Sequence, residues 1–385
     1  MFKTAILLAG GAGTRLKDVA KQPKPLILIN GKPHIINVLN HLFLCNLTKV
    51  IILVRKGQSS LYQNHLNILC KEAIKNLIIE IVEEEKPMGT SGWILNNLSK
   101  LDDYFLVLNA DTYFHENIYS YLRDIFNKKQ NAILAKQKRT RTDSGSFQVN
   151  DVGLIEKFKE KNSSNHDLES AGIYLLKKSS LEKLRIFFSN SKNSFEFDIF
   201  PELIKQKKLY GYKSFTFNHD YGTVQRLQNS EEIIKKHQIK WLFLDRDNTL
   251  NYDLNSYTHK ISDLKRIKIL DPILKGYQDI GYHLCVITNQ SGIARNFYKE
   301  EDMNNFNQEL SKKLTENGIS LQLFLHCPHL PEEECNCRKP KTGLLDYVNN
   351  NFGIDIKNSI FIGDSDSDIK CADNYNITSL KLNLI

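Results

Sequence analysis

The sequence predicts an α/β protein of two successive domains, the first built on a mostly parallel sheet. Three observations carry that expectation. The chain has 385 residues, more than one hydrophobic core commonly serves. From Thr4 onward, short apolar runs alternate with stretches of helical spacing, the pattern of a sheet covered by helices on both faces. At Trp241 to Leu250 a second such pattern begins: WLFLDRDNTL is a buried-strand signal that delivers Asp245 and Asp247, with Thr249 behind them, onto the loop that follows.

Composition is that of an ordinary globular protein, 41% hydrophobic and 25% charged. The 52 basic against 44 acidic residues leave +8, a moderate excess that phosphate-bearing small molecules explain without nucleic acid. The densest basic segment, Lys128 to Arg141, is interrupted by a strand-like AILA and reads as a solvated edge and substrate rim rather than a polyanion site. No apolar run approaches the roughly 18 residues that span a bilayer. MFKTAILLAGGAG imitates a signal peptide, but its apolar core is shorter than the roughly 7 to 15 residues such a segment needs. A first strand and a cytoplasmic protein are therefore expected. Seven cysteines are an odd number for a secreted disulfide framework. Cys45, Cys70, Cys285 and Cys371 are scattered among apolar neighbours, whereas Cys327, Cys335 and Cys337 gather around His329.

TAILLA at Thr4 to Ala9 runs straight into GGAGTRL. Gly10, Gly11 and Gly13 let the backbone approach phosphates and point amide N–H groups at them, while Thr14 and Arg15 add side-chain donors. The turn lacks the third glycine of a dinucleotide fingerprint and the ending of a P-loop, and taken alone it is equally a tight strand-to-helix turn. PKPL at Pro23 to Leu26 then places Lys24 about ten residues beyond the glycines, in a stretch two prolines should hold extended beside the phosphates. VIILV at Val50, LIIEIV at Leu77 and YFLVLNAD at Tyr104 are the next strands, and ligands of such sheets collect at strand carboxyl ends. One such end carries Asn109 and Asp111. A lone aspartate there is commonly a helix N-cap, but HDYGT at His219 to Thr223 offers Asp220 as a second carboxylate. Two carboxylates with nucleotide phosphates completing the shell is the usual way magnesium is held. Between them, PMGTSGW supplies Gly89, Thr90, Ser91 and Gly92, whose backbone groups can face a nucleobase.

LAGGAGTRL, PKPL, EEEKPMGTSG, NAD, the FKEK at Phe158 to Lys161, ESAGIYLL at Glu169 and DYGT together resemble the sugar-1-phosphate nucleotidyltransferases, over residues 1 to 230. The resemblance implies a Rossmann-like, GT-A-like mixed sheet. It also implies that Gly11, Gly13 and Arg15 contact the triphosphate and that Lys24 stabilises charge as pyrophosphate leaves. Asp111 and Asp220 would hold magnesium, and Lys161 with Glu169 and Gly172 would bind the sugar phosphate. The implied chemistry is in-line attack by a sugar phosphate oxygen on the nucleotide α-phosphorus, which needs positioning and charge neutralisation but no protein nucleophile. The short segment between Arg15 and Pro23 resembles the heptose 1-phosphate guanylyltransferases within that family.

From Asn229 to Lys240, NSEEIIKKHQIK is polar and helix-forming, without the make-up of a flexible linker. Residues 231–239 are expected to form a helical junction between a domain at 1–230 and another at 240–385, the two lying close together.

DRDNT presents carboxylates suited to divided work: Asp245 can attack a phosphoryl group, while Asp247 protonates the leaving oxygen and later deprotonates water. Both repel an incoming phosphate, so magnesium must offset their charge. LCVITNQSG ends a strand in Thr288 and Asn289, donors suited to phosphate oxygens; CRKPKTG supplies Arg338 and Lys339; IFIGDSDSD ends another strand in Asp364, with Asp368 a helical turn on. This order resembles the haloacid dehalogenase-like (HAD-like) phosphatases. It implies a doubly wound parallel sheet, Asp245 as nucleophile, Asp247 as general acid and base, and Thr288 and Lys339 as phosphate ligands. Magnesium would lie on Asp245, the Asp247 carbonyl and Asp364, supported by Asp368. No large cap insertion is seen, which suggests an open site.

CPHLPEEECNC gives Cys327, His329, Cys335 and Cys337, a ligand set suited to closed, structural zinc. Cysteines so close pair poorly as a disulfide, and the compartment is expected to be reducing. Zinc here would fix the chain leading into Arg338 and so position Lys339. The zinc loop with TNQSGIAR resembles the heptose 1,7-bisphosphate phosphatases and next the histidinol-phosphate phosphatases; the short gap between His329 and Cys335 is nearer the second. Asn248 and Asn296 stand where glycine is common in that family.

The combination implies a bifunctional enzyme of nucleotide-activated heptose biosynthesis for surface polysaccharide. It would remove the 7-phosphate of a heptose 1,7-bisphosphate and transfer a nucleotidyl group, GMP from GTP by resemblance, to the heptose 1-phosphate. The alternatives are a hexose nucleotidyltransferase fused to a phosphatase for another phosphomonoester such as histidinol phosphate, and a non-catalytic scaffold. Expected ligands are a nucleoside triphosphate, heptose phosphates, magnesium in both domains and zinc in the second. Base, sugar and anomer, oligomeric state and passage of intermediate between sites are left open.

Overall fold

A strand buried on both faces must place its backbone polar groups in ladders on both edges. Thr4–Leu8 does so by pairing in parallel with Lys49–Arg55 on one side and Tyr104–Asn109 on the other. The computed structural model describes residues 2–11, 13–16, 21–69, 77–137, 145–160, 168–188, 192–213, 218–253 and 257–383, and separates the chain into Met1–Lys236 and His237–Ile385.

In the first unit, Ile78–Glu84 extends the parallel set beyond Lys49–Arg55. On the opposite side Leu168–Lys177 joins Tyr104–Asn109 antiparallel and carries Asn131–Gln137 and Gly145–Val149 with it, so the sheet is mixed. The strands read from the apolar runs at Thr4, Val50, Leu77 and Tyr104 are those of the parallel half. Alternate residues of these strands face two separate cores. Leu7, Val50 and Ile52 pack under Val38, Leu39 and Leu42 of helix His34–Leu44, while Ile6, Ile51 and Phe105 share the other core with Leu181, Phe195 and Phe200. A small ribbon pairs Asn218–Asp220 with Thr112–Phe114. Helix Ser230–Lys236 ends the unit, with Glu231 and Glu232 in its first turn and Lys235 and Lys236 in its last, each matching the helix dipole.

The second unit is a parallel sheet of five described strands in the order Leu323–Cys327, His283–Asn289, Trp241–Leu244, Ile360–Gly363, Thr378–Lys381. Trp241–Leu244 is central, which explains an uninterrupted WLFL: all four side chains are buried. Trp241 satisfies its indole N–H on the Gly353 carbonyl at 2.9 Å. Among the described residues, the connections between these strands contain only single helices, short 3₁₀ turns and loops. In each unit the first strand of the chain lies between later strands on both sides. The loop at its carboxyl end therefore opens at a switch point of the sheet, where ligands of such folds bind.

Candidate active sites

The glycine turn leaves Thr4–Leu8 beside two neighbours that shape it. Arg55 Nε donates to the Gly10 carbonyl at 2.8 Å, and a Cβ on Gly10 would lie 3.1 Å from Glu84 Oε2. Gly13 has φ +60, the left-handed region glycine enters without penalty, and Thr14–Leu16 forms a 3₁₀ turn. PKPL departs from the expected extended stretch. Pro23 is extended, but Lys24–Leu26 is a 3₁₀ turn, because the fixed φ of Pro25 also suits the first turn of a helix. The turn aims Lys24 Nζ at Asp111 Oδ2, 3.2 Å away.

The ribbon register sets Asp220 opposite Thr112, and so beside Asp111. Arg226 forms an ion pair with Asp220, and the Thr223 hydroxyl caps the helix that carries Arg226. Asp111, Asp220 and Lys24 line one cavity of about 230 Å³ with Arg15, Lys136, Glu169, Gly172 and Arg226. Asn109, Asp111 and Lys24 also line a second of about 450 Å³, with Gly10, Gly11, Glu84, Gly89 and Thr90. The expected nucleotide and sugar-phosphate residues thus fall into adjoining hollows, Arg15 lying with the sugar set. Glu169 is buried and meets Lys136 Nζ at 3.5 Å; Lys136 also donates to Asn218 Oδ1 at 2.6 Å. Gly172 has φ +72, and a Cβ there would lie 2.7 Å from Asn109 Nδ2, so this position admits only glycine while Asn109 stays in place. Lys161 and the Thr14 side chain lie outside the described residues. An all-oxygen pair of adjacent carboxylates fits magnesium at Asp111 and Asp220.

In the second unit, Lys339 is buried, and its ammonium contacts Asp245 Oδ1 at 2.8 Å, Asp368 Oδ1 at 2.6 Å and the Ile287 carbonyl at 2.7 Å. Carboxylate oxygens of Asp245, Asp364 and Asp368 lie within 4.8 Å of one another. Three carboxylates against one ammonium leave two negative charges in a half-buried pocket. A divalent cation matches that excess, so the residues fit magnesium. Burial pushes the Asp245 carboxyl up, opposed by Lys339 and reinforced by Asp368 and Asp247. Burial and Asp368 likewise raise Asp364, while the Asn248 side chain opposes them.

Asp247 points elsewhere. Its Oδ1 accepts from Arg246 Nε at 2.9 Å and Asn251 Nδ2 at 3.0 Å, and its Oδ2 from Arg246 Nη2 at 2.8 Å and Gln290 Nε2 at 2.9 Å. Gln290 also donates to Thr288 Oγ1 and accepts from the Tyr298 hydroxyl. Asn289, expected on phosphate, instead grips the Lys339 backbone, its Oδ1 accepting from Lys339 N at 3.1 Å and its Nδ2 donating to Lys339 O at 3.2 Å. The strand end that would reach phosphate holds the lysine loop because Asn289 stands in register with Cys327, where the cysteine-rich loop begins.

The two departures from glycine are explained by the backbone. Asn248 has φ +54 and Asn296 φ +58, and asparagine is the side chain that best tolerates this region. Asn248 also accepts from Asp253 N at 3.0 Å.

Cys327, His329, Cys335 and Cys337 close into one cluster: Cys327–Cys335 and Cys335–Cys337 sulfurs are 3.5 Å apart, and His329 Nδ1 is 3.2 Å from Cys337 Sγ. Tetrahedral zinc with Zn–S near 2.3 Å sets sulfur pairs about 3.8 Å apart, so the donors fit that ion. Arg338 Nη1 reaches the His329 carbonyl at 3.4 Å, and the Gly343 amide donates to Asn336 O at 3.0 Å, fastening the lysine loop to the cluster.

Residues 4–238 match the nucleotidyl transferase family model and residues 240–380 that of polynucleotide kinase 3 phosphatase. D-glycero-alpha-D-manno-heptose-1,7-bisphosphate 7-phosphatase of Campylobacter jejuni is 41% identical over 143 residues, 37% of this chain and 81% of that protein. The enzyme of the same name from Photorhabdus laumondii is 36% identical over 151 residues, 37% of this chain and 82% of that protein. The chain belongs to the nucleotidyl transferase family, and its second unit to these phosphatases. Among solved structures, HddC from Yersinia pseudotuberculosis superposes with TM-score 0.51 at 23% identity, covering 61% of this chain and all of that one, which shows the shared nucleotidyl transferase fold. Its complex with GMP-PN superposes with TM-score 0.50 and the same coverage.

For this nucleotidyl transferase with its phosphatase unit, the partners that hold the expected site residues are not legible in the sequence. Arg226 on Asp220, Lys136 on Glu169, and Arg246, Asn251 and Gln290 on Asp247 are all contributed by the fold. One signal was present for Arg246: an arginine between two aspartates at the end of a fully apolar strand has no route to solvent without leaving them.

Proposed function

We propose that the chain is a bifunctional, cytoplasmic enzyme of nucleotide-activated heptose biosynthesis, with transfer on residues 1–230, phosphatase on 240–385 and a junction at 231–239. The observation that carries this is the joining, on one chain, of a nucleotidyl transferase with a unit related to heptose bisphosphate phosphatases. The phosphatase leaves the 1-phosphate in place, and a 1-phosphate is the nucleophile a sugar nucleotidyltransferase needs.

At the phosphatase site, Asp245 attacks the phosphorus of the 7-phosphate, and Asp247 gives a proton to the departing sugar oxygen. The aspartyl phosphate is then hydrolysed by water that Asp247 deprotonates. Lys339 and Thr288 bind the phosphate oxygens. Asp245, the Asp247 carbonyl and Asp364 would hold magnesium, which supplies positive charge against the incoming phosphate. At the transferase site the sugar 1-phosphate oxygen attacks the α-phosphorus of a nucleoside triphosphate, GTP in our reading, and pyrophosphate leaves. Lys24 neutralises the charge that develops, the glycine turn holds the triphosphate, and Asp111 with Asp220 would hold the metal.

The test is to supply the full chain with heptose 1,7-bisphosphate and each of four nucleoside triphosphates, with histidinol phosphate and mannose 1-phosphate as competitors. Phosphate release followed by GDP-heptose and pyrophosphate is expected. Transfer to mannose 1-phosphate but not to heptose 1-phosphate would overturn the heptose assignment. In the same assay Asp245→Asn should abolish phosphate release and spare pyrophosphate formation from added heptose 1-phosphate.

A further inference from the structure

A surface helix should turn apolar residues to the core and polar ones to water. Helix Asp271–Asp279 of the second unit does only the first. The 3₁₀ turn Lys268–Leu270 runs into it without a break, Leu270 and Asp271 both having helical torsions. Leu270, Leu274 and Gln278, four residues apart, are buried, the two leucines in the core with Leu242, Leu244 and Val286 of the sheet. The opposite side presents Ile269, Ile273, Gly276 and Ile280, at steps of four, three and four. These isoleucines are 68%, 45% and 61% exposed, and a Cβ on Gly276 would meet no atom within 4 Å. At about 1.5 Å per residue the stripe is about 17 Å long, with a notch in it at the glycine. A contiguous apolar patch of this kind marks a contact surface, unlike single exposed side chains.

The stripe is complementary to a copy of itself. When it is laid antiparallel across a two-fold axis midway between Leu274 and Lys275, Ile269 meets the partner's Ile280, and Ile273 enters the notch at the partner's Gly276. The same operation brings Gly276 to the partner's Ile273 and Ile280 to the partner's Ile269, so one register satisfies all four positions. Charge follows the same axis. Lys268 and Asp279 are exposed on one flank of the stripe, and each stands at the end of the helix where the dipole disfavours its sign. In an antiparallel pair like flanks meet, so Lys268 comes opposite the partner's Asp279 at both ends.

We propose that this face pairs with a second copy of the chain, the two helices antiparallel, through Ile269, Ile273, Gly276 and Ile280, with Lys268–Asp279 ion pairs closing the ends. One helix face falls short of the roughly 800 Å² a side that a stable interface buries, so the dimer is reversible. The helix joins the parallel strands Trp241–Leu244 and His283–Asn289 and so runs back from their carboxyl ends. Antiparallel pairing therefore points the two phosphatase sites away from each other and leaves both open.

The experiment is sedimentation equilibrium of the full chain from about 1 to 100 μM, the span in which so small an interface associates. The weight-average mass should climb from 44.5 kDa towards twice that value. Gly276→Gln fills the notch with a residue that favours helix more than glycine does, so it should abolish the dimer without lowering the midpoint of urea unfolding. Lys268→Glu should weaken association at least tenfold. Adding Asp279→Lys to the same chain should restore it to within threefold of wild type, a rescue that only contact between two copies produces. A mass of 44.5 kDa at every concentration, the result if something other than a second copy covers this face, would overturn the proposal. So would a dimer that survives Gly276→Gln, or a charge swap without rescue. Should Gly276→Gln fail to fold, the charge swap at two exposed positions decides alone.

Discussion

Arg246 holds Asp247 by both carboxylate oxygens, Nε to Oδ1 at 2.9 Å and Nη2 to Oδ2 at 2.8 Å, and is itself wholly buried. Its remaining donors reach Thr258 O and Asn307 Oδ1, so the guanidinium is fixed at three points. The group proposed to move the proton is therefore placed by a residue that touches no substrate. Arg246→Leu should lower phosphatase kcat about 100-fold, within the range set by general acid–base catalysis. It should also destabilise the second unit by about 3–5 kcal/mol, the cost of a buried charge left without its partner. Steady-state phosphate release and urea unfolding measure the two effects. Full activity in the variant would show that Gln290 and Asn251 suffice.

A zinc ion on the cysteine and histidine cluster should matter to the lysine more than to the sheet. Removing the metal with a chelator, or replacing Cys335 by Ser, forfeits a contribution to local folding on the order of 10 kcal/mol. Phosphate release should fall to background while pyrophosphate formation persists. Amide exchange should quicken around residues 329–343, the stretch that Arg338 and Gly343 fasten to the cluster. Unchanged exchange there would sink the link.

Acid should weaken the first unit through His34. This residue opens helix His34–Leu44, lies edge-on to Tyr221 at 4.5 Å and is fully buried. Burial holds its pKa down at about 3, with the Thr112 backbone opposing and His219 assisting. The folded state therefore keeps the ring neutral, while the unfolded chain takes up a proton below about pH 6.5. Its contribution is complete above that pH and is lost as pH falls towards 3, at about 1.4 kcal/mol per pH unit. Urea unfolding at several pH values between 4 and 7.5, with His34→Gln as the control, should show that slope flatten in the variant. Parallel slopes would assign the loss elsewhere.

Asn248 permits a backbone test. At φ +54, Asn248→Gly should fold within about 1 kcal/mol of wild type, whereas Asn248→Val should lose about 2 kcal/mol or more from left-handed strain. Phosphatase activity should follow the same order. Equal melting temperatures for the two variants would remove the strain argument.

What could be read from the chain and what could not divides along one physical line. Strands announce themselves because burial on both faces demands runs such as TAILLA and WLFL, and the residues at their ends follow directly. Motif order alone groups Asp245, Asp364 and Lys339, and separately the cysteines with His329; in the structure Lys339 meets Asp245, Asp245 and Asp364 lie in one carboxylate group, and the cysteines and His329 form another cluster. Pairings between distant segments leave no local trace. Arg226 is found on Asp220 and Lys136 on Glu169 only once the strands are aligned. The chemistry of Asn289 suits phosphate, but register gives it the Lys339 peptide. PKPL suggests an extended stretch but turns at Lys24–Leu26, because proline constrains φ and leaves ψ to the neighbours. Asn248 was visible as a departure, and its reason lies in a torsion angle.

The central place of Trp241–Leu244 bears on how the protein is made. The ribosome delivers this apolar strand before either neighbour, His283–Asn289 or Ile360–Gly363, exists. Throughout that interval both of its edges stay unpaired and its faces uncovered. The sheet of the second unit can thus close around this strand only after Ile360–Gly363 is synthesised, whereas the first unit has all its described sheet strands in hand once Asp220 has emerged.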